Sequence, residues 1–304
     1  MSSQPHSADY LSLETRDSWW NDDFLALMAR RWRLRDVHSV LDVGAGRGHW
    51  GQLLLPHCAA DARLTGVDRE AEWVSGAAER ARRRGLGARA AYRLGAAEAL
   101  PFPDDTFDFV TCQTVLIHVA DPSAALREMK RVVRPGGTLA VVEPVNMASS
   151  LVLGSTRFHD DVDEQLGLLR FELVCCRGKE RLGLGNNSVG ALLPKLFARL
   201  DLDEVRAWQW DKASWTVPPY ADPEARATVA EAKEALAREH AIWGREETYR
   251  YFVGGGGAPG DFDAEWARAV RALRRVVEAY ERGEEHAVVA GVVVIASGRK
   301  PVER

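Results

Sequence analysis

The sequence predicts an α/β fold, a doubly wound and mostly parallel sheet with helices on both faces. Two observations predict it. Short β-branched runs at Ser39–Val43, Leu64–Val67, Phe107–Cys112 and Thr138–Val142 alternate with helical patterns, and strands joined through helices run parallel within one sheet. The chain also closes on a long apolar run, Ala287–Ser297, suited to a strand covered on both faces.

Each element has a local reason. An N-terminal helix is expected over roughly Asp17–Arg33, and the first helix of the alternation starts near Gly48. The next covers Glu70–Arg83 and stops at Gly85, because glycine accepts the left-handed conformation that ends helices. Asp121-Pro122 opens another, with a carboxylate to cap it and proline tolerated in its first turn. That helix ends at Arg134-Pro135-Gly136-Gly137. After Glu143 the rhythm changes: helices are expected at Asp161–Leu182 and Ser188–Leu200, a strand at Val205–Trp210, and long charged helices at Pro223–Tyr251 and Phe262–Arg282, broken by Gly254–Gly257. No internal repeat stands out.

Composition bounds the function. The 304 residues are 46% hydrophobic and 28% charged, enough apolar material for a packed core, so disorder is excluded for most of the chain. Forty basic residues against 44 acidic ones leave a formal charge of −4. No broad electropositive face results, and nucleic acid is not the expected partner. Cys58, Cys112, Cys175 and Cys176 are too few and too scattered for a disulfide framework, and no C-x-x-C pair is present. No apolar segment approaches the ~20 residues of a membrane span, and the polar start, Met1–Asp9, does not read as a targeting segment. A cytoplasmic protein is expected.

The sharpest local signal is Val40-Leu41-Asp42-Val43-Gly44-Ala45-Gly46-Arg47-Gly48, a strand running into three alternate glycines and then a helix. In doubly wound sheets ligands sit at the carboxyl ends of strands, where this loop must lie. Asp68 ends the next strand and can accept two ribose hydroxyls, so a nucleoside ligand is indicated. Gly46-Arg47-Gly48-His49-Trp50-Gly51 also fits the dinucleotide fingerprint G-x-G-x-x-G. That register begins late in the loop, however, and starting at Gly44 puts His49 where the third glycine belongs. The acid at Asp42 suits an ammonium group better than a diphosphate. S-adenosyl-L-methionine (SAM) carries such an ammonium and no phosphate, and is the expected cofactor ahead of NAD.

Ser39–Pro144 resembles the class I SAM-dependent methyltransferases, in particular the small-molecule branch similar to the ubiquinone/menaquinone-type enzymes. The likeness rests on ordered blocks: Leu41 to Gly48, Gly66-Val67-Asp68, Ala97 to Asp108, Gln113 to Pro122, and Arg131 to Leu139. It implies a Rossmann-like, seven-stranded sheet with helical lid insertions. It implies that Asp42, Gly44, Ala45 and Gly46 hold the methionine end of SAM, that Asp68 binds the ribose with Arg69 near the adenine, and that Gln113 borders the sulfonium. Ala96 stands where relatives often carry an aspartate for the adenine amine, leaving Ala97 or Glu98 to serve by backbone or altered geometry. The whole chain, 1–304, reads as a single methyltransferase domain. Residues 1–38 form its helical cover, 39–143 its SAM-binding core, and 144–187 and 211–285 its lid and substrate insertions.

Methyl transfer needs a base only where the acceptor must lose a proton. His118 is the nearest candidate by motif position, with a structural role bonding the local backbone as the other reading; Tyr10 is a second candidate. Trp19, Trp20, Trp208 and Trp215, with His118, are the candidate walls of an apolar substrate pocket. Cys175-Cys176 could bind a soft metalloid or simply pack on a helix face. His159, Asp160 and Asp161 could bind a metal, but the acids equally fit a helix start, and no metal is expected. No Asn/Asp-Pro-Pro-Tyr block follows the fourth strand. The expected activity is methyl transfer to oxygen, nitrogen or carbon of a small apolar or aromatic acceptor, specialised metabolites included. The competing readings are an NAD-dependent oxidoreductase and a non-catalytic SAM-binding partner protein, and the oligomeric state is left as monomer or homodimer.

Overall fold

The computed structural model describes residue 16 and residues 19–302. The chain divides into two compact units, one of Met1–Pro144, Ser188–Asp211 and Val293–Arg304, the other of Val145–Asn187 and Lys212–Val292.

In the first unit the strands are β1 (Ser39–Val43), β2 (Arg63–Asp68), β3 (Ala90–Leu94), β4 (Phe107–Gln113), β5 (Val133–Pro144) and β6 (Asp203–Gln209). The second unit holds β7 (Ala213–Thr216) and β8 (Ala287–Ala290), and β9 (Val293–Arg299) returns to the first. The main sheet has the order β3-β2-β1-β4-β5-β9-β6. Strands β1 to β5 are parallel, and β9 runs antiparallel to both β5 and β6. From β1 the chain winds outward to β3, then returns to place β4 on the other side of β1. The carboxyl ends of β1 and β4 therefore form a topological switch point, where no connection fills the crevice.

Alternation along each strand sends side chains to two cores. Leu41, Val110, Leu139 and Val141 face α4 (Pro122–Val132), where Leu126 and Met129 cover them, and α8 (Leu193–Phe197) adds Leu193 and Phe197. Val40, Phe109, Ala140 and Val142 face the other way, onto Met28 of α1 (Asp22–Arg31) and Trp50 of α2 (His49–Leu54). Trp20 stacks on Trp50 at 4.7 Å between centroids, and Trp32 meets Phe109 at 5.5 Å. The helix α3 (Ala71–Arg83) follows β2 and yields to Gly85 at φ +71°. Asp121 caps α4 by accepting from the Ala124 amide at 3.0 Å.

The second unit is largely helical. It contains α5 (Asn146–Ser149), α6 (Ser155–Phe158), α7 (Val162–Arg181), α9 (Pro223–Ala237), α10 (Arg245–Gly254) and α11 (Phe262–Arg282), with β7 and β8 paired antiparallel. Phe171 and Cys175 of α7, Tyr251 and Phe252 of α10, and Phe262 and Trp266 of α11 make its core. Asp161 caps α7 by accepting from the Asp163 amide at 2.8 Å.

Besides shifted bounds and the unexpected strands β3 and β7, three expected elements differ in kind. The helix expected over Pro223–Tyr251 is two, because the chain turns at Glu239 (φ +51°) and the His240 amide bonds back to the Ala235 carbonyl at 2.8 Å, closing α9. The run Ala287–Ser297 is not one strand: β8 pairs with β7 and β9 with β5 and β6, with Gly291-Val292 between them. An uninterrupted apolar run carries no mark of a change in pairing partner. Ser188–Leu200 opens as a 3₁₀ turn at Val189–Leu192 before α8, where Gly190 packs so closely on the Glu143 carbonyl that a Cβ would lie 2.4 Å from its oxygen.

Phe109 is fully buried in the middle of the sheet. Phe109→Ala is expected to destabilise the chain by about 3–5 kcal/mol; a loss below about 1 kcal/mol in urea unfolding would contradict this assignment of the core.

Candidate active site

The glycine loop begins where β1 stops. Gly44, at φ +65°, turns the chain in a conformation that strains any residue with a Cβ. A Cβ there would also lie 2.5 Å from Cγ2 of Val115, so the loop and the segment after β4 touch at this point. The Ala45 amide donates to the Val67 carbonyl at 2.9 Å, and the Gly46 amide to Asp68 Oδ2 at 2.8 Å. The other oxygen of Asp68 accepts from the Glu70 amide at 3.0 Å. Asp68 thus ties the glycine loop to the start of α3 while lining the cleft.

Asp42 lies behind this loop, buried, accepting from the Gly51 amide at 2.8 Å. Burial is the main cause that pushes its carboxyl up to about 7, offset in part by that hydrogen bond and reinforced by Asp68. A Cβ on Gly51 would stand 2.9 Å from Asp42 Oδ2. Glycine at this position is what lets α2 sit against β1.

The facing wall comes from the end of β4. Gln113 is largely buried and lines the cleft, and its Oε1 has no hydrogen-bond partner within the protein. Thr114 follows in the left-handed region at φ +54°, costly for a residue branched at Cβ. Glu143, wholly buried at the end of β5, holds that turn. Its Oε1 accepts from the amides of Val115 at 2.9 Å and Leu116 at 2.8 Å, and its Oε2 from Ile117 at 3.4 Å. The backbone of this segment therefore bends around one carboxylate, presenting Val115, His118 and Val119 to the cleft. Desolvation outweighs these donors and pushes Glu143 up to about 7.

The remaining walls are Gly95–Glu98, Trp73 and Arg16. The Gly95 amide donates to the Asp68 carbonyl at 3.0 Å, and Ala96 bridges to Ala99. The loop beyond is anchored by Arg131, whose guanidinium donates to the carbonyls of Phe102 at 2.8 Å and Leu100 at 3.1 Å. Glu128 accepts from the Leu100 amide at 2.9 Å. Trp73 is buried with Arg47 over its ring at 4.7 Å. Arg16 lies 4.9 Å over Trp19, its Nε buried without a hydrogen-bond partner, and burial lowers its guanidinium to about 10.

The cleft brings together Gly44, Gly46, Asp68, Arg69, Ala97 and Glu98, with Gln113 and His118 opposite. Asp42 stands behind the loop as its support, and Ala45 is buried within the loop, tied to β2 by its amide. Trp19 meets Trp210 edge-on at 6.3 Å, and Trp20 is core, sandwiched toward Trp50 because both fall on the apolar face of the sheet. Trp208 lies under the Arg31 guanidinium at 5.3 Å, away from the cleft. Trp215 belongs to β7 in the second unit and is exposed. Tyr10 lies outside the described residues. Cys175 is buried in α7, where desolvation raises its thiol, and Cys176 is pushed up to about 12. Asp160 is taken by Arg275 at 2.9 and 2.8 Å. Arg16, Trp73, Thr114 and Glu143 escaped the sequence reading. Only Glu143 had a usable signal, a charged residue ending a buried apolar strand.

Residues 41–141 match the family model described as a methyltransferase domain. The uncharacterized methyltransferase YcgJ of Bacillus subtilis is 37% identical over 119 residues, 39% of this chain and 46% of its own length. The ubiquinone/menaquinone biosynthesis C-methyltransferase UbiE of Cellvibrio japonicus is 34% identical over 110 residues, 36% of this chain and 44% of its own. Over residues 41–141 this chain is similar to methyltransferase domains. It spans about half the length of the curated relatives it matches. The crystal structure of YcgJ superposes with a TM-score of 0.53 at 20% identity, covering 93% of this chain and all of that one, which shows the shared fold. Among the described residues no helix is long and apolar enough to cross a membrane.

Because the folded pKa of Glu143 is raised, the native state binds the extra proton, and stability falls as pH rises from about 4.5 towards about 7. Glu143→Gln keeps an acceptor and removes the titration. Urea unfolding at about pH 5 and about pH 8 is expected to show a smaller stability loss in the variant than in the parent. Parallel losses would refute the assignment.

Proposed function

We propose that this chain transfers a methyl group from SAM to a small apolar or aromatic acceptor, at oxygen, nitrogen or carbon. The observation that carries the reading is the cleft at the switch point, where Asp68 and the glycine loop face Gln113 and His118 across one crevice. The donor set fits the cofactor. Asp68 supplies carboxylate oxygens for vicinal hydroxyls, and the unpartnered Gln113 Oε1 needs a donor such as an ammonium. Arg16, with a buried guanidinium N–H lacking a partner, would take the methionine carboxylate. Trp73 and Ala97 offer apolar wall to the purine, with Glu98 and the backbone near Ala96 as its polar neighbours. Asp42 acts through Gly51, as a positioning residue.

SAM, when bound, supplies a methyl group on a sulfonium. The protein has then to place a nucleophile in line with that methyl and keep water away. Val115 and Val119 supply apolar surface on the side of His118. For a hydroxyl or amine acceptor, His118 takes the proton at an imidazole nitrogen; for a carbon acceptor already carrying nucleophilic density, its role is to bound the pocket. The modest negative charge supports a small-molecule acceptor rather than nucleic acid.

Calorimetry with S-adenosylhomocysteine tests the cofactor half. Saturable binding is expected, weakened roughly 10- to 100-fold in Asp68→Ala, since hydrogen bonds to a charged group contribute about 1.5–3 kcal/mol. Absence of binding, or no change in Asp68→Ala, would overturn it. A methylene-sized mass gain in a panel of apolar phenols, amines and ketones, lost when SAM is omitted, tests the transfer.

A further inference from the structure

The second unit holds a solvent-open pocket that shares no lining residue with the cofactor cleft. Its volume is about 330 Å³, within the range of small-molecule sites. Two helices face each other across it with the same spacing. On α7 the set Gln165, Leu168, Leu169 and Glu172 lines it, with Phe171 beside them, and on α11 the set Ala269, Ala272, Leu273 and Val276. Each set recurs at i, i+3, i+4 and i+7, one continuous helix face. Between α9 and α10, Ala241 and Ile242 close a third side. Alanines at 241, 269 and 272 leave the space that leucine would fill.

One end of this apolar chamber is polar. Arg157 lines it with a buried Nε that has no hydrogen-bond partner, the nearest carboxylate, Asp160, standing 4.0 Å away. Asp160 is held instead by both arms of Arg275. Opposite, Glu172 accepts from Ser150 Oγ at 2.7 Å through one oxygen. A cation donor and a carboxylate acceptor thus border the same pocket.

We propose that this cavity is a second small-molecule site, which takes an apolar ring or short chain bearing one hydroxyl. The hydroxyl oxygen accepts from Arg157 Nε–H and its proton is donated to Glu172, while the apolar body lies between α7 and α11. A neutral hydroxyl fits better than an anion, because the Glu172 carboxylate interacts with Arg157 and offsets its charge. The site lies wholly within the second unit and does not rest on the cofactor reading.

The probe is 1-naphthol, with naphthalene as the body lacking the hydroxyl, titrated calorimetrically into the full chain. One saturable site for 1-naphthol is expected, at least about tenfold tighter than for naphthalene, because a hydrogen bond to a charged group is lost in the latter. Ala272→Leu, which fills the chamber, should weaken both compounds by at least about tenfold. Arg157→Met should weaken 1-naphthol alone by about tenfold. Far-ultraviolet circular dichroism reads whether Ala272→Leu folds; if it does not, Arg157→Met decides. Non-saturable binding, equal affinity for the two compounds, or unchanged 1-naphthol affinity in Arg157→Met would overturn the proposal. S-adenosylhomocysteine titrations of the same variants separate the two readings, since loss there bears only on the cofactor cleft.

Discussion

The cleft depends on one carboxylate buried at the end of β5. Glu143 gathers the amides of Val115, Leu116 and Ile117 and forces the chain leaving β4 to turn back on itself. That turn holds Thr114 in the left-handed region and packs Val115 against Gly44. The two sides of the crevice are therefore set by a single contact: Glu143 positions Val115, and Val115 excludes any side chain at Gly44. Such an arrangement is strained locally at Thr114 and is offset by the shared acceptor that Glu143 gives the Val115 and Leu116 amides.

A second carboxylate repeats the device on the other side. Asp42 is buried and binds the Gly51 amide, while Asp68 at the next strand end binds Gly46 and Glu70. The glycine loop is held from behind by one acid and from in front by the other. Asp42 shapes the loop and Asp68 presents its carboxylate to the cleft. Hydrogen bonds already made within the protein lower the ordering cost that binding would otherwise carry.

Much of the candidate site was legible because its residues occur in short, ordered segments at strand ends. Gly44, Gly46, Asp68 and Gln113 each follow a run whose alternation identifies a strand, and a parallel sheet brings successive strand ends to the same edge. The tryptophans were not legible in this way. Trp20, Trp208 and Trp215 share a residue type but fall on different surfaces, since an aromatic side chain serves a core as readily as a pocket. Arg16 and Trp73 carry no local pattern that separates a cleft wall from a solvated helix.

By itself the sequence determined the parallel sheet, the glycine loop and the acid that faces it, because hydrophobic period and turn chemistry act over a few neighbouring residues. Only the tertiary structure decided that the run Ala287–Ser297 serves two sheets, that Asp42 stands behind the loop, and that Glu143 shapes the cleft. It also decided that α7 and α11 leave a chamber with Arg157 and Glu172 at its polar end. These are questions of which distant surfaces meet. A buried charge is indistinguishable from an exposed one until the groups that surround it are in place.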